Sequence, residues 1–194
     1  MGNNGHKKPP GAGWSSFGLV DAERVFDILG LKRGSTFLDI ACGRGDYTIA
    51  ASRIIGDKGL VYAVDLWERG IAALTKRCSA EGIKSVKAIV ANVGNRIPIE
   101  DETVDACLMA TALHDLVQTR DAEGALEEVR RVLKFQGSLA VVEFKKIDGP
   151  PGPPLHIRLT PEEVETMAVP HGFGKGRVVE VGPYNYVITF HRRG

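Results

Sequence analysis

Residues 37–47, FLDIACGRGDY, constrain this chain more than any other stretch. Phe37-Leu38-Asp39-Ile40-Ala41 is short, apolar and β-prone, with one acid inside it. Gly43 and Gly45 then flank Arg44, and Asp46 opens the amphipathic run Tyr47-Thr48-Ile49-Ala50-Ala51. The pattern predicts a strand, a tight turn and a helix. Glycines at such a turn permit positive φ and let a ligand reach the backbone with no Cβ in the way.

The rest of the chain repeats the alternation. A helix is expected over 21–29, capped by Asp21, burying Val25, Phe26, Ile28 and Leu29 and stopping at Gly30. After strand one (37–41) and its helix (46–55), an almost unbroken apolar run at 60–65 reads as a strand covered on both faces. Trp67, Ile71, Leu74 and Cys78 then share one helical face, which Gly82 closes. Strands three and four are expected at 86–91 and 104–110. Asp121 begins a helix that buries Ala125, Leu126, Val129 and Leu133, and strand five follows at 138–144. Strands and helices in short alternation predict an α/β fold, a Rossmann-like doubly wound sheet that is mostly parallel. Pro150, Pro151, Pro153 and Pro154 mark a stiff exposed loop, and Thr160-Pro161-Glu162-Glu163 is a strong helix start. Runs at 177–181 and 186–190 read as an antiparallel C-terminal hairpin on the sheet edge.

Composition serves mainly to exclude. A single domain is expected from 194 residues, with 1–13 a mobile tail. A formal net charge of +1 and the lack of a basic platform argue against nucleic acid as a partner. No run approaches membrane-spanning length, and the N-terminus lacks a signal-peptide apolar core, so a cytoplasmic location is expected. Cys42, Cys78 and Cys107 show no metal-ligand spacing. Trp14 and Phe17 stand out in a polar stretch: either they fold over a ligand cleft or they dock the arm on the core.

In an open parallel sheet, ligands sit beyond the carboxyl ends of the strands. Asp65 lies twenty positions past Gly45, the separation at which an acid ending strand two can accept both ribose hydroxyls of a nucleoside. Asn92 ends strand three and can face a purine edge, with Val93 beside it and Leu66 free to pack on the ring. Plain alternatives stand beside these: Asp65 as a helix cap, Asn92 as a turn residue, and the glycines as chain reversal alone. A dinucleotide fold would want a third glycine where Thr48 stands, which counts against nicotinamide cofactors.

With these residues the chain resembles the class I S-adenosylmethionine-dependent methyltransferases, most closely the ubiquinone/menaquinone-biosynthesis subgroup. Asp39-Ile40-Ala41-Cys42-Gly43-Arg44-Gly45 is similar to that family's DxGxGxG motif, Asp65 to its ribose-binding acid and Asn92 to its adenine contact. The run at 97–105 resembles the lead-in to strand four, and 131–139 the helix-to-strand-five signature. Ala41 replaces the first motif glycine, Phe135 stands where proline is usual, and one extra residue separates Asn92 from Pro98. The resemblance implies a seven-stranded sheet and S-adenosylmethionine as cofactor. Asp39, Ala41, Gly43 and Gly45 would hold its methionine end, with Ala110 and Thr111 alongside.

Methyl transfer is an in-line displacement onto an acceptor, here expected to be a small molecule, and alignment supplies most of the acceleration. A base is needed only if the acceptor must lose a proton. His114, next to Asp115, is the candidate, with a structural role at a helix start as its alternative. Glu143, Lys145, His156 and Arg158 either line the acceptor side or serve structure. A non-catalytic cofactor-binding module is the alternative for the chain as a whole.

Overall fold

The computed structural model describes residues 11–194. The remainder of the tail expected at 1–13 lies outside the described residues.

Seven strands form one sheet in the order β3-β2-β1-β4-β5-β7-β6. β1 (Thr36–Ile40), β2 (Leu60–Asp65), β3 (Val86–Val90), β4 (Val104–Ala110) and β5 (Leu133–Phe144) run parallel. β7 (Asn185–Arg192) inserts antiparallel between β5 and β6 (Phe173–Glu180). The order reverses between β1 and β4, and there the carboxyl ends of central strands open a crevice.

Alternation along each strand sends side chains to two faces. Phe37, Val61, Ala106 and Leu108 meet α1 (Ala22–Leu29) and α2 (Asp46–Ile55) through Phe26, Leu29, Tyr47 and Ile55. α3 (Glu68–Ala80) joins that side through Leu74 and Cys78, against Ile49 and Ala63. Leu38, Ile40, Cys107 and Met109 meet α5 (Ala122–Val132) and α6 (Pro161–Ala168) on the other face, through Leu126, Val129 and Val164. α4 (Leu113–Thr119) lies on this second side.

Several boundaries differ from expectation. β1 ends at Ile40, because Ala41 turns into the left-handed region with φ 54°. β3 ends at Val90, one residue early. Leu133 belongs to β5 rather than to the helix before it, pairing with Val104 ahead of an irregularity in the ladder. Ile28 is only partly buried against the core. Asp21 does cap α1, its Oδ1 accepting from Arg24 N–H at 3.0 Å. Asp121 precedes α5 but makes no capping bond with its side chain. Thr160 and Glu163 form a reciprocal capping box at α6.

The proline-rich loop is exposed along its rim, but its carbonyls turn inward. Arg158, 2% exposed, donates to the carbonyls of Pro153 (2.9 Å), Pro151 (2.9 Å), Gly149 (2.6 Å), Lys145 (3.1 Å) and Ile147. Its guanidinium also lies over the Phe144 ring. Five backbone acceptors around one rigid fork make this side chain a clamp for the β5–α6 connection.

Candidate active site

Beyond the tips of β1, β2 and β4 lies a cleft of about 910 Å³, lined by residues from the glycine turn, α3, the loop after β3 and the start of α4. That volume lies within the range of small-molecule sites. Asp39, Ala41, Gly43, Asp65, Leu66, Asn92, Val93, Ala110 and Thr111 all line it. Of the residues expected to hold a cofactor, Gly45 alone stands back from the surface, as the N-cap of α2 at φ 76°.

The turn between β1 and α2 is held open by left-handed residues. Ala41, Gly43 and Gly45 have φ of 54°, 57° and 76°. A Cβ on Gly43 would meet nothing within 4 Å, so this backbone faces open cleft. A Cβ on Gly45 would fall 2.4 Å from Leu74 Cδ1, and one on Gly70 2.6 Å from the Gly43 carbonyl oxygen. Small residues on both sides therefore let α3 close directly onto the turn.

Asp65 ends β2, buried at 8% exposure. Its Oδ2 accepts from Gly43 N–H and its Oδ1 from Trp67 N–H, both at 2.7 Å. The acid thus braces both the glycine turn and the entry to α3. Each carboxylate oxygen has a second lone pair, so one acceptor site per oxygen remains for a ligand hydroxyl. Leu66 beside it, 38% exposed, offers an apolar surface to the cleft. Asn92 sits in the turn its sequence suggested: its carbonyl accepts from Asn95 N–H (3.1 Å) and its Oδ1 from Gly94 N–H (2.8 Å). Its Nδ2 donates to Asp121 Oδ1 at 3.3 Å. Gly124 lets α5 approach this loop, since a Cβ there would lie 2.1 Å from the Gly94 carbonyl oxygen.

Asp39 is buried under the turn, its Oδ2 accepting from Thr48 Oγ1 at 2.5 Å. Burial, only partly offset by the Thr48 hydrogen bonds and reinforced by the charge of Asp65, pushes its carboxyl up to about 7. The same burial, with Asp39 and Asp65 nearby, pushes the Cys42 thiol well up, so it is no ready nucleophile. Asp39, Asp65, Asp115 and Asp121 all line the cleft. Of the cations that line the cleft, Arg77 is committed to Asp46 and the Arg44 carbonyl, and Arg44 lies over Trp67. Arg69 and Lys76 stand on α3 rather than on the strand tips that carry Asp39 and Asp65. An acidic floor beneath an open backbone turn suits a ligand with positive charge and hydroxyls better than it suits a pyrophosphate. S-adenosylmethionine, with its ammonium, sulfonium and ribose diol, fits that donor set.

The candidate base is placed differently from the cofactor residues. His114 is 5% exposed and does not line the cleft. Its Nδ1 lies 2.7 Å from Glu143 Oε2, and its backbone N–H donates to Glu143 Oε1 at 3.1 Å. Nε2 points to Asp115 Oδ1 at 3.7 Å. Burial works against the imidazolium, yet the hydrogen bond to Glu143 and the charges of Glu143 and Asp115 prevail and raise the pKa of His114. Glu143 is fully buried, Lys145 pairs with Glu180 at 3.0 Å, and Arg158 is the clamp already described.

The N-terminal arm supplies what the motifs did not. Residues 11–16 line the cleft. Ser16, 3% exposed, bonds Tyr47 OH at 3.1 Å and accepts from Thr111 Oγ1 at 3.1 Å, tying the arm to α2 and to the end of β4. Phe17 docks edge-on against Tyr47, whereas Trp14 stands 88% exposed at the rim. Phe17 thus docks the arm on the core, while Trp14 lines the cleft without packing over it. A lone serine carries no spacing signal; its role follows from a chain crossing over a distant strand end.

Residues 16–152 match the ubiE/COQ5 methyltransferase family, well over half of the chain. The chain belongs to that family. Among curated relatives, it is 32% identical over 136 residues to the 2-phytyl-1,4-naphtoquinone methyltransferase of Trichormus variabilis, covering 69% of this chain and 58% of that one. It is 34% identical over 134 residues to the ubiquinone/menaquinone biosynthesis C-methyltransferase UbiE of Enterobacter sp., covering 68% and 52%. The chain therefore spans little more than half the length of these relatives. A SAM dependent methyltransferase from Aquifex aeolicus superposes with a TM-score of 0.83 at 34% identity, covering 95% of this chain and 94% of that structure. Membership in this ubiE/COQ5 group classes the chain among the S-adenosylmethionine-dependent methyltransferases, the resemblance that the glycine turn and the acid of β2 carried.

Proposed function

We propose that the chain transfers the methyl group of S-adenosylmethionine to a ring carbon of a small quinol-type acceptor. The observation that carries this reading is the cleft itself: an open, left-handed glycine turn above buried Asp39, with Asp65 at the adjoining strand tip. The names of the two curated relatives supply the acceptor class and the carbon as target.

S-adenosylmethionine supplies an electrophilic methyl on a sulfonium, whose departure as neutral thioether needs no acid. The turn at Ala41 and Gly43 would hold the methionine end, where the ionised form of Asp39 would compensate positive charge. Asp65 would accept from the ribose hydroxyls while still bracing the turn, and Leu66, Asn92 and Val93 would contact the base. Ala110 and Thr111 would line the methyl-donor side, and the arm at 11–16 would help to exclude water. Fixing donor and acceptor in line is the main source of rate.

Thermal shift against S-adenosylmethionine, S-adenosylhomocysteine and NAD tests the cofactor, since a ligand of the folded state raises its apparent stability. The first two should stabilise the protein and NAD should not. Asp65→Ala should weaken S-adenosylmethionine at least tenfold. Turnover with 1,4-naphthohydroquinone, the product's methyl located by mass spectrometry and NMR, tests the acceptor. Binding without turnover across a panel of hydroquinones and other acceptors would leave a cofactor-binding module instead.

A further inference from the structure

We propose that Asp115 is the base that takes the acceptor's proton, and that His114 and Glu143 are positioning residues that aim it. The proposal rests on the methyl-transfer reading above and assigns the proton step within it. Asp115, on the first turn of α4, lines the cleft a few residues beyond Thr111, whereas His114 lies behind it. The geometry is a line of groups running inward: Asp115 Oδ1, then His114 Nε2 at 3.7 Å, then His114 Nδ1 against Glu143 Oε2 at 2.7 Å. Glu143 also accepts the backbone N–H of His114, so ring and main chain are held by one carboxylate.

The arm packs over the same acid. A Cβ on Gly11, at φ 67°, would fall 2.2 Å from Asp115 Oδ2, so the bare backbone here passes close to this carboxylate. Among the described residues, two further groups bear on this line. Arg158 opposes a charge on His114, and Tyr186 lies near Glu143 with its hydroxyl donating to the Leu159 carbonyl. When protonated, His114 hydrogen-bonds Glu143 and lies in ion-pair range of Asp115. It helps to orient Asp115, whose carboxyl is raised above its ordinary value by burial, lowered in part by the charge of His114 and raised again by that of Glu143; a raised carboxyl is the stronger base.

The step balances without a further reactant. The acceptor O–H bond breaks and its proton passes to the Asp115 carboxylate. The electron pair left on the ring closes a bond from ring carbon to methyl, while the sulfur–carbon pair leaves with the thioether. The ring oxygen regains a proton as the methylated carbon loses its own, so one proton is released in all.

Two measurements test this on the full chain. With S-adenosylmethionine and 1,4-naphthohydroquinone, Asp115→Asn should lower kcat about a hundredfold or more, the usual scale of general-base catalysis. KM for S-adenosylmethionine should stay within threefold, the acidic limb of the kcat profile at saturating S-adenosylmethionine should vanish, and Asp115→Glu should recover part of the rate. By NMR titration, the pKa of His114 should fall in Asp115→Asn and also in Glu143→Gln, a readout that needs no acceptor. An unchanged pH profile and kcat in Asp115→Asn, or an unmoved His114 titration, overturns the proposal. If wild type binds S-adenosylmethionine but does not turn over the probe, the acceptor assignment fails. The titration of His114 in Asp115→Asn then decides: a fall upholds the pairing and no change overturns it.

Discussion

Ala41 holds a backbone angle that its side chain disfavours. At φ 54° it sits where a Cβ crowds the following carbonyl, at a cost of about 1–2 kcal/mol for an L-residue. Ala41→Gly should therefore raise stability by about 1 kcal/mol in chemical denaturation, with cofactor affinity within about twofold. Sequence comparison marked this position as a departure from DxGxGxG, but only the backbone angle shows what the departure costs. Asp39 carries the second prediction at this scale. Its folded pKa, about 7, stands above the ordinary 3.8, so the protonated form is the one the fold favours. The ligand-free protein thus bears no penalty from Asp39 below the unfolded pKa, and a growing one as pH rises toward 7. A cationic ligand favours the ionised form, so S-adenosylmethionine binding should release a proton below pH 7, and affinity should rise with pH until it levels above 7. Calorimetry in two buffers of different ionisation enthalpy reads the proton directly, and Asp39→Asn should abolish that part of it.

Between elements, the site depends on how closely helices approach loops. α3 meets the glycine turn at Gly70, and α5 meets the loop after β3 at Gly124. Gly70→Ala would put a methyl 2.6 Å from the Gly43 carbonyl oxygen and 2.4 Å from the Trp67 ring. It should cost about 1–3 kcal/mol by overpacking and weaken S-adenosylmethionine by more than tenfold, read by denaturation and by titration. Neither glycine stands out in the sequence, because each lies inside a helical pattern where glycine merely lowers propensity. The strands β2 and β4 were legible for the opposite reason: their apolar runs are local. Asp121 shows the limit of local reading. An acid before a helix looks like a cap, yet its Oδ1 accepts from Asn92, 29 positions away in sequence.

Across the whole molecule, a buried hydroxyl ties the arm that lines the cleft to two distant elements. Ser16 joins Tyr47 of α2 to Thr111 at the end of β4, contacts spanning 31 and 95 positions. Ser16→Ala leaves Tyr47 OH and Thr111 Oγ1 without this partner. Proteolysis near residues 11–16 should quicken severalfold and affinity for S-adenosylmethionine should fall, while the melting temperature drops by only a few degrees. The cut site and rate by mass spectrometry, beside a thermal melt, distinguish a loosened arm from a loosened fold.

The alternation of apolar strands with amphipathic helices, the glycine turn after β1 and the acid ending β2 were all determined by the sequence itself. Each depends on residues adjacent in the chain, whose periodicity and φ preferences act locally. Only the tertiary structure decided that His114 turns inward to Glu143 while Asp115 lines the cleft, that Arg158 gathers five carbonyls, and that Ser16 ties down the arm. Those outcomes depend on which groups meet after the sheet is assembled, and on the cost of leaving a buried charge or carbonyl unpaired. A one-dimensional pattern carries no record of such meetings.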